Sequence, residues 1–237
     1  MTAPPRILLV RLSAMGDVLL TTPLLRALRR RHPDAEIQYC TRPAFAPLLA
    51  DHPALNGLVL FEPRDESLGE LAHRIRAGRF THLLDLHGVP RTRLLRLLAP
   101  GPWRGYSKRR LARAVLIRWK RDVYRDAVPE PERFFEAARG LDVRPDGGPP
   151  DFHLADAARE RAAAWLARHG LGAERPLVTL APGAAHVTKR WPPEHWQALA
   201  RALTTGGHDV LVVGGADDVA VGDAVAQAAG GRARSAA

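Results

Sequence analysis

Asp17 sits a few residues beyond the apolar run Ile7–Val10, in the stretch RLSAMGDVLLTTP that starts at Arg11. A carboxylate at the exit of a buried strand has two uses. It caps the helix that follows by accepting backbone N–H groups, or it points into the cleft at the carboxyl ends of parallel strands and takes up a proton. Ser13 precedes it, and Gly16 beside it suits a tight turn and the close approach of a ligand. A second cluster, APGAAHVTKRWPPEHW over 181–196, runs from a strand end through Gly183 to Thr188, Lys189 and Arg190. Loop amides, a hydroxyl and cations suit phosphate. The plainer reading is an ordinary strand-to-helix loop, with Trp191 and Trp196 as core residues of the next helix. A third cluster, DLHGVPRTR over 85–93, offers Arg91 and Arg93 at another strand exit. They either face solvent from a helix start or join Asp17 at one sheet edge.

Other chemistries lack their residues. GxxxxGK[ST] is missing, as is GxGxxG after the first strand, and VVGGADD (212–218) has paired glycines at the wrong spacing for a dinucleotide loop. There is no HExxH; His87, His186 and His208 read as loop or capping histidines, so no metal is expected. No Ser/His/Asp nucleophile elbow occurs, and no cofactor is called for.

The elements that must hold these clusters alternate. RILLVRL (6–12) reads as a strand buried on both faces. Residues 17–31 carry helical spacing, with Pro23 predicting a bend or a late start. AEIQYCT (35–41), GLVLFE (57–62) and THLLDLH (81–87) read as strands, with a proline-broken helix over 42–55 and a clear one over 67–78. Such strand–helix units predict a parallel sheet covered on both faces. DVRPDGGPPDFH (142–153) reads as a linker. Beyond it come a helix over 156–171 capped by Asp156, a strand over 177–184, a helix over 192–207, a strand over 209–215 and a helix over 217–230. The tail GGRARSAA reads as no element. The predicted domains are therefore 1–150 and 151–237, the second incomplete and the chain a shortened form of something longer.

The 237 residues are 46% hydrophobic, enough for a real core, and contain one cysteine, Cys40, so no intramolecular disulfide can form. The N-terminus does not read as a signal peptide and no apolar run is of membrane length, so a soluble cytoplasmic protein is expected. The net charge of +10 is nearly all arginine. It concentrates in Arg91–Arg125, where Asp122 is the only acid. That stretch is either a solvated face or a surface for an anionic partner: nucleic acid, acidic lipid or a phosphorylated substrate. Neither zinc-finger spacing nor a ribonucleoprotein aromatic motif supports nucleic acid.

Taken together, ILLVRLSAMGDVLLTTPLLRALRRRHPDAEI, LLDLHGVPRTRLL and LAPGAAHVTKRWPPEHWQALA resemble glycosyltransferase family nine, the bacterial heptosyltransferases of the lipopolysaccharide inner core. The resemblance reaches to about Gly230. It implies an α/β, GT-B-like architecture: a Rossmann-like acceptor-binding domain and an incomplete second Rossmann-like domain for the nucleotide sugar, typically ADP-heptose. Asp17 then matches the catalytic base, Thr188 and Lys189 the residues on the donor diphosphate, and Asp217 the acid at the donor ribose. Gly183 joins the donor loop. Ser13, Gly16, Arg91 and Arg93 fall to the anionic acceptor. Transfer would invert the anomeric centre without metal or cofactor. The enzyme would work as a monomer at the inner membrane surface, with no role for nucleic acid. A further donor motif of the family (an Asp, a Ser/Thr-Gly and a His) is missing from this sequence, which predicts weak donor binding, an exposed sheet edge and low activity. The competing reading is a non-catalytic remnant that binds anionic glycolipid or a membrane surface.

Overall fold

The computed structural model describes residues 3–124, 128–184 and 186–237. The chain divides into two compact units, Met1–Leu154 and Ala155–Ala237. Each has its own parallel sheet.

In the first unit, β1 (Arg6–Val10) is the central strand. Its alternation explains the layers. Ile7 and Leu9 pack on one face with Leu24, Leu25 and Leu28, while Leu8 and Val10 pack on the other with Leu71, Ile75 and Leu95. All four strand side chains are fully buried, each stabilising the fold by about 2 kcal/mol. The neighbouring strands are β2 (Glu36–Thr41), β3 (Gly57–Leu60), β4 (His82–Asp85) and β5 (Trp103–Gly105), all parallel in the order β3-β2-β1-β4-β5. The chain moves outward from β1 to β3 and then crosses back to β4. The carboxyl ends of β1 and β4 therefore flank a topological switch point, the place where such sheets open a crevice.

The segment after β1 forms two helices, α1 (Met15–Leu19) and α2 (Thr22–Arg31). Pro23 is the second residue of α2, where its missing N–H would have had no helical partner. Arg29, Arg30 and Arg31 occupy the last turn, favourable against the helix dipole. In α3 (Leu68–Ala77) the cap is Ser67: its Oγ accepts from Glu70 N–H at 3.2 Å and Glu70 Oε2 accepts from Ser67 N–H at 2.7 Å. Then follow α4 (Pro90–Leu98), α5 (Arg110–Trp119) and the single turn α6 (Glu130–Arg133).

The residues read as a linker, 142–153, are tied to the first unit. The Arg26 guanidinium donates to Asp146 at 2.8 and 2.9 Å and also pairs with Asp151. Each partner stabilises the other's charge: Asp146 is held well below the usual carboxylate range and Arg26 raised above its own, chiefly by their mutual hydrogen bond. Beside them His52, Asp151 and His153 meet. The Nδ1 of His52 accepts from Ala54 N–H at 3.2 Å. The neutral ring therefore carries its proton on Nε2, 3.9 Å from Asp151, and offers no lone pair there to an ion.

The second unit runs α7 (Asp156–Arg168), β6 (Leu177–Leu180), α8 (Pro193–Thr205), β7 (Asp209–Val212), α9 (Val219–Ala229) and β8 (Ala233–Ser235). Three sequence expectations are corrected here. The tail is structured: Val210, Leu211 and Val212 pair with Ala233, Arg234 and Ser235, giving a parallel sheet β6-β7-β8. Asp156 does not cap α7; Ala155 occupies that position without a side-chain bond, and Asp156 is the first helical residue, where its charge suits the dipole. Trp191 is largely exposed, stacked on His195 with ring centroids 5.3 Å apart, whereas Trp196 does pack on the core.

Candidate active site

The crevice at the switch point is built from the β1 and β4 exits. Arg11, the first residue past β1, is buried at 4% exposure. Its guanidinium donates to Leu86 C=O at 2.5 Å, to Ser13 C=O at 2.8 Å and to the Tyr106 hydroxyl at 3.3 Å, and lies over the Phe134 ring. A charge so deep is tolerated because its donors are matched. The remaining arm pairs with Asp17, whose side chain is 42% exposed. Asp17 is the third residue of α1; its Oδ2 lies 3.5 Å from Ala14 N, at the limit of a hydrogen bond. The carboxylate is thus aimed mainly by Arg11 while one side stays open to solvent.

Across the crevice, Asp85 ends β4 fully buried. It accepts from His87 N–H at 3.0 Å, Gly88 N–H at 2.8 Å and the Thr92 hydroxyl at 3.0 Å. These bonds fix the turn into α4, and Gly88 adopts φ +57°, a left-handed conformation that favours glycine. His87 Nε2 lies 3.3 Å from Ser13 Oγ, joining the two loops. Burial, with the nearby Arg11 and Lys108 charges, pushes the His87 imidazole down to about 4, so it is neutral at physiological pH.

Asp17 and Arg11 line a cavity of about 440 Å³ with Lys108, Arg113, Glu130 and Arg133. Arg133 is bound to Glu130 at 2.5 Å and to Ser107 C=O at 2.8 Å. The side chains of Lys108 and Arg113 have no hydrogen-bond or ion-pair partner among the described residues. Burial, then Arg11 and Arg110, lowers the Lys108 pKa. An adjoining cavity of about 300 Å³ shares Tyr106 and Lys108 and is walled by Arg93, Arg96, Arg109 and Arg110. Its one carboxylate, Asp85, is already occupied by its three donors. Lys108 and Arg113, with Arg93 and Arg96 on the adjoining wall, make an environment for a polyanion bearing a hydroxyl close to Asp17.

The sequence-predicted residues of this unit separate accordingly. Ser13 and Asp17 meet in the crevice. Arg93 lines the cationic cavity; Arg91, two residues away on α4, is exposed and does not line it. Gly16 is exposed, and a Cβ placed there would meet nothing within 4 Å, so the space above it is open to a ligand. Arg11, Lys108 and Arg113 were not singled out in the sequence; their cue was charge beside a strand exit or within the arginine-rich stretch.

In the second unit the loop after β6 carries Gly183. A Cβ there would lie 2.2 Å from Asp218 Oδ2, so only glycine lets this loop close on Asp218. Asp218 Oδ2 in turn accepts from Gly215 N–H at 3.0 Å. The acid drawn against the Pro-Gly loop is Asp218, while its neighbour Asp217 is exposed. Thr188 and Lys189 are exposed on a 3-10 turn, Val187–Lys189, held by Lys189 N–H donating to His186 C=O at 2.9 Å. Arg190 Nε donates to Ala184 C=O at 2.7 Å, tying the turn to the Gly183 loop.

Residues 68–234, which run from α3 through β4 and β5 of the first sheet and into β8 of the second, match the family described as glycosyltransferase family 9 (heptosyltransferase). The chain belongs to glycosyltransferase family 9. This family 9 chain is 27% identical over 227 residues to lipopolysaccharide heptosyltransferase 2 of Salmonella typhimurium, covering 88% of the chain and 63% of that relative. It is 26% identical to lipopolysaccharide heptosyltransferase 1 of Pseudomonas aeruginosa, covering 86% and 59%. It thus spans about three fifths of the length of the curated relatives it matches. Among solved structures it is similar to a family 9 glycosyl transferase from Veillonella parvula (TM-score 0.79, 24% identity, 98% of this chain and 68% of that one). It is also similar to ADP-heptose lipopolysaccharide heptosyltransferase II of Escherichia coli (TM-score 0.73, 25% identity, 98% and 72%). The fold class is α/β and GT-B-like, as the resemblance implied.

Proposed function

We propose that this family 9 chain transfers heptose from a nucleotide-diphosphate sugar, ADP-heptose, to a phosphorylated lipopolysaccharide-core acceptor with inversion. The family membership and the names of the relatives support the reaction class and both partners. The observation that carries the reading is the half-open Asp17 carboxylate, aimed by buried Arg11 into a cavity with Lys108 and Arg113 on its wall.

In this reading the acceptor's phosphates lie against Arg93, Lys108 and Arg113, with Arg91 at the entrance and Ser13 and Gly16 beside the reacting hydroxyl. Asp17 takes the hydroxyl proton as the oxygen attacks the anomeric carbon. The bond from that carbon to the diphosphate breaks on the opposite face, and the electron pair leaves with the nucleoside diphosphate. Lys189, the Thr188 hydroxyl and the amides of the Gly183 loop stabilise the charge that accumulates there, and Asp217 meets the donor ribose. No helix in the described residues is long and apolar enough to cross a membrane. We take the protein to act as a monomer in the cytoplasm, peripheral to the inner membrane.

The test compares the purified chain with Asp17→Asn, using ADP-heptose and a heptose-deficient core glycolipid. Transfer falls at least about 100-fold, while acceptor affinity measured by calorimetry stays within about twofold. The comparison is a ratio within one chain, so weak donor affinity lowers both rates alike. Lys189→Ala raises the donor KM and lowers kcat. Equal transfer by the Asp17→Asn variant and the parent overturns the assignment.

A further inference from the structure

Helix α5 has no buried residue. At about 100° per residue, Leu111, Ala112, Val115, Leu116 and Trp119 fall on one side, with Arg110, Arg113 and Ile117 opposite and Arg118 at the boundary beside Leu111. Leu111 is 85% exposed and Trp119 62%, and Ile117 and the following Val123 also face water. Side chains of this size gain from burial. Isolated apolar residues on a surface are ordinary, but several on one short helix mark a contact face. From Arg104 to Arg121 the chain contains no acidic residue. Whatever covers the helix must be apolar at its centre and anionic around it. A second copy of this face would oppose like charges. A nucleic acid would satisfy the cations and leave Leu111, Ile117 and Trp119 in water.

We propose that α5 is a membrane-surface helix for anionic phospholipid. Leu111, Leu116 and Trp119 enter the boundary between headgroups and acyl chains, and Arg118, Lys120 and Arg121 engage the lipid phosphates. The same helix borders the candidate acceptor site: Arg113 lines the Asp17 cavity and Arg110 the cationic one beside it. Docking through α5 holds a helix that contributes to both cavities at the lipid surface, where a lipid-borne acceptor presents its sugars. That purpose rests on the proposed acceptor; the lipid binding does not. A ten-residue helix gives reversible attachment, suited to an enzyme that visits many acceptors.

Co-sedimentation with vesicles of phosphatidylcholine, with and without phosphatidylglycerol, tests this directly. The chain binds the anionic vesicles, does not bind the neutral ones, and is released by salt. Leu111→Gln with Trp119→Gln lowers the partition coefficient by about tenfold or more, and Arg118→Gln and Arg121→Gln lower it by about fivefold each. Circular dichroism and thermal melting of these variants match the parent, because the altered side chains are exposed. Adding anionic vesicles shifts tryptophan fluorescence to the blue, and Trp119→Phe removes that shift. The proposal is overturned by no vesicle binding; by equal binding to neutral vesicles; by undiminished binding of the Leu111→Gln, Trp119→Gln variant; or by self-association that this variant abolishes, which assigns the face to a second copy. An oligonucleotide bound more tightly than anionic vesicles also overturns it. The vesicles carry no sugar acceptor, so this result and the transfer assay fail independently.

Discussion

The buried guanidinium of Arg11 carries the half-exposed carboxylate of Asp17. The two partners therefore respond differently to removal. Asp17→Asn leaves stability within about 1 kcal/mol of the parent, because an exposed carboxylate contributes little to the fold. Arg11→Ala costs about 3–5 kcal/mol, since the Leu86 and Ser13 carbonyls lose their donors and the site loses a paired buried charge. Urea denaturation of the two variants separates a functional carboxylate from a structural cation. Similar losses in both would mean that the pair is purely structural.

Acid should weaken the fold through two histidines. Burial, then His153, pushes the His52 imidazole down to about 4, and burial, then Arg11 and Lys108, does the same for His87. Their ordinary pKa in the unfolded chain is about 6.5. Between these values the unfolded state binds more protons, so stability rises with pH. The contribution is complete above about pH 6.5 and is lost as pH falls towards about 4. For His52 it amounts to at most about 3 kcal/mol. Melting curves from pH 7 to 4 should flatten in His52→Gln and in His87→Gln, each relative to the parent.

Gly183 and Asp218 should be coupled. A methyl at residue 183 lies within 2.2 Å of Asp218 Oδ2, and that oxygen is held by Gly215 N–H. Gly183→Ala must displace the carboxylate and should cost about 1–3 kcal/mol. Adding Asp218→Ala removes the obstruction, so the double variant should be less destabilised than the sum of the singles. Strict additivity in urea melts would show that the loop yields in another way.

Arg26 should control proteolysis of residues 142–153. This segment is rich in proline, glycine and aspartate, and two of its three acids, Asp146 and Asp151, converge on one guanidinium, while Asp142 pairs with Arg31 at its start. Arg26→Leu should lower stability by about 2 kcal/mol and accelerate limited cleavage near Arg144. Unchanged cleavage would show that the remaining anchors, Arg31 on Asp142 and the Thr22 hydroxyl on the Asp151 amide, suffice.

Much of the scaffold was legible in the sequence, and the gaps have physical causes. β1 announces itself because a strand covered on both faces needs a nearly continuous apolar run, and β2 through the alternation of Ile37 and Tyr39 with Glu36 and Gln38. Trp103–Gly105 and Ala233–Ser235 do not: each is a three-residue edge strand with arginine at its centre, defined by the strand it pairs with. The same distinction governs the site. Asp17 was visible as an acid at a strand exit. Arg11 was not, because its burial depends on Tyr106 and Phe134, far along the chain. Asp217 was matched by resemblance alone; that a 3-10 turn folds its neighbour Asp218 back onto the Gly183 loop could not be read from the chain. The 142–153 stretch had the composition of a tether; its restraint comes from α2, where Arg26, Arg31 and Thr22, distant in sequence, hold it.

The bend at the end of β4 is wired by a single side chain, since Asp85 gathers two amides and a hydroxyl around it. A loop already ordered this way gives up little conformational freedom when an anion arrives. It also adapts poorly to an anion of another shape. Selectivity on that side of the crevice would then come from rejecting misfits, and altering which molecules are admitted would mean rebuilding the turn around Asp85 before exchanging any arginine.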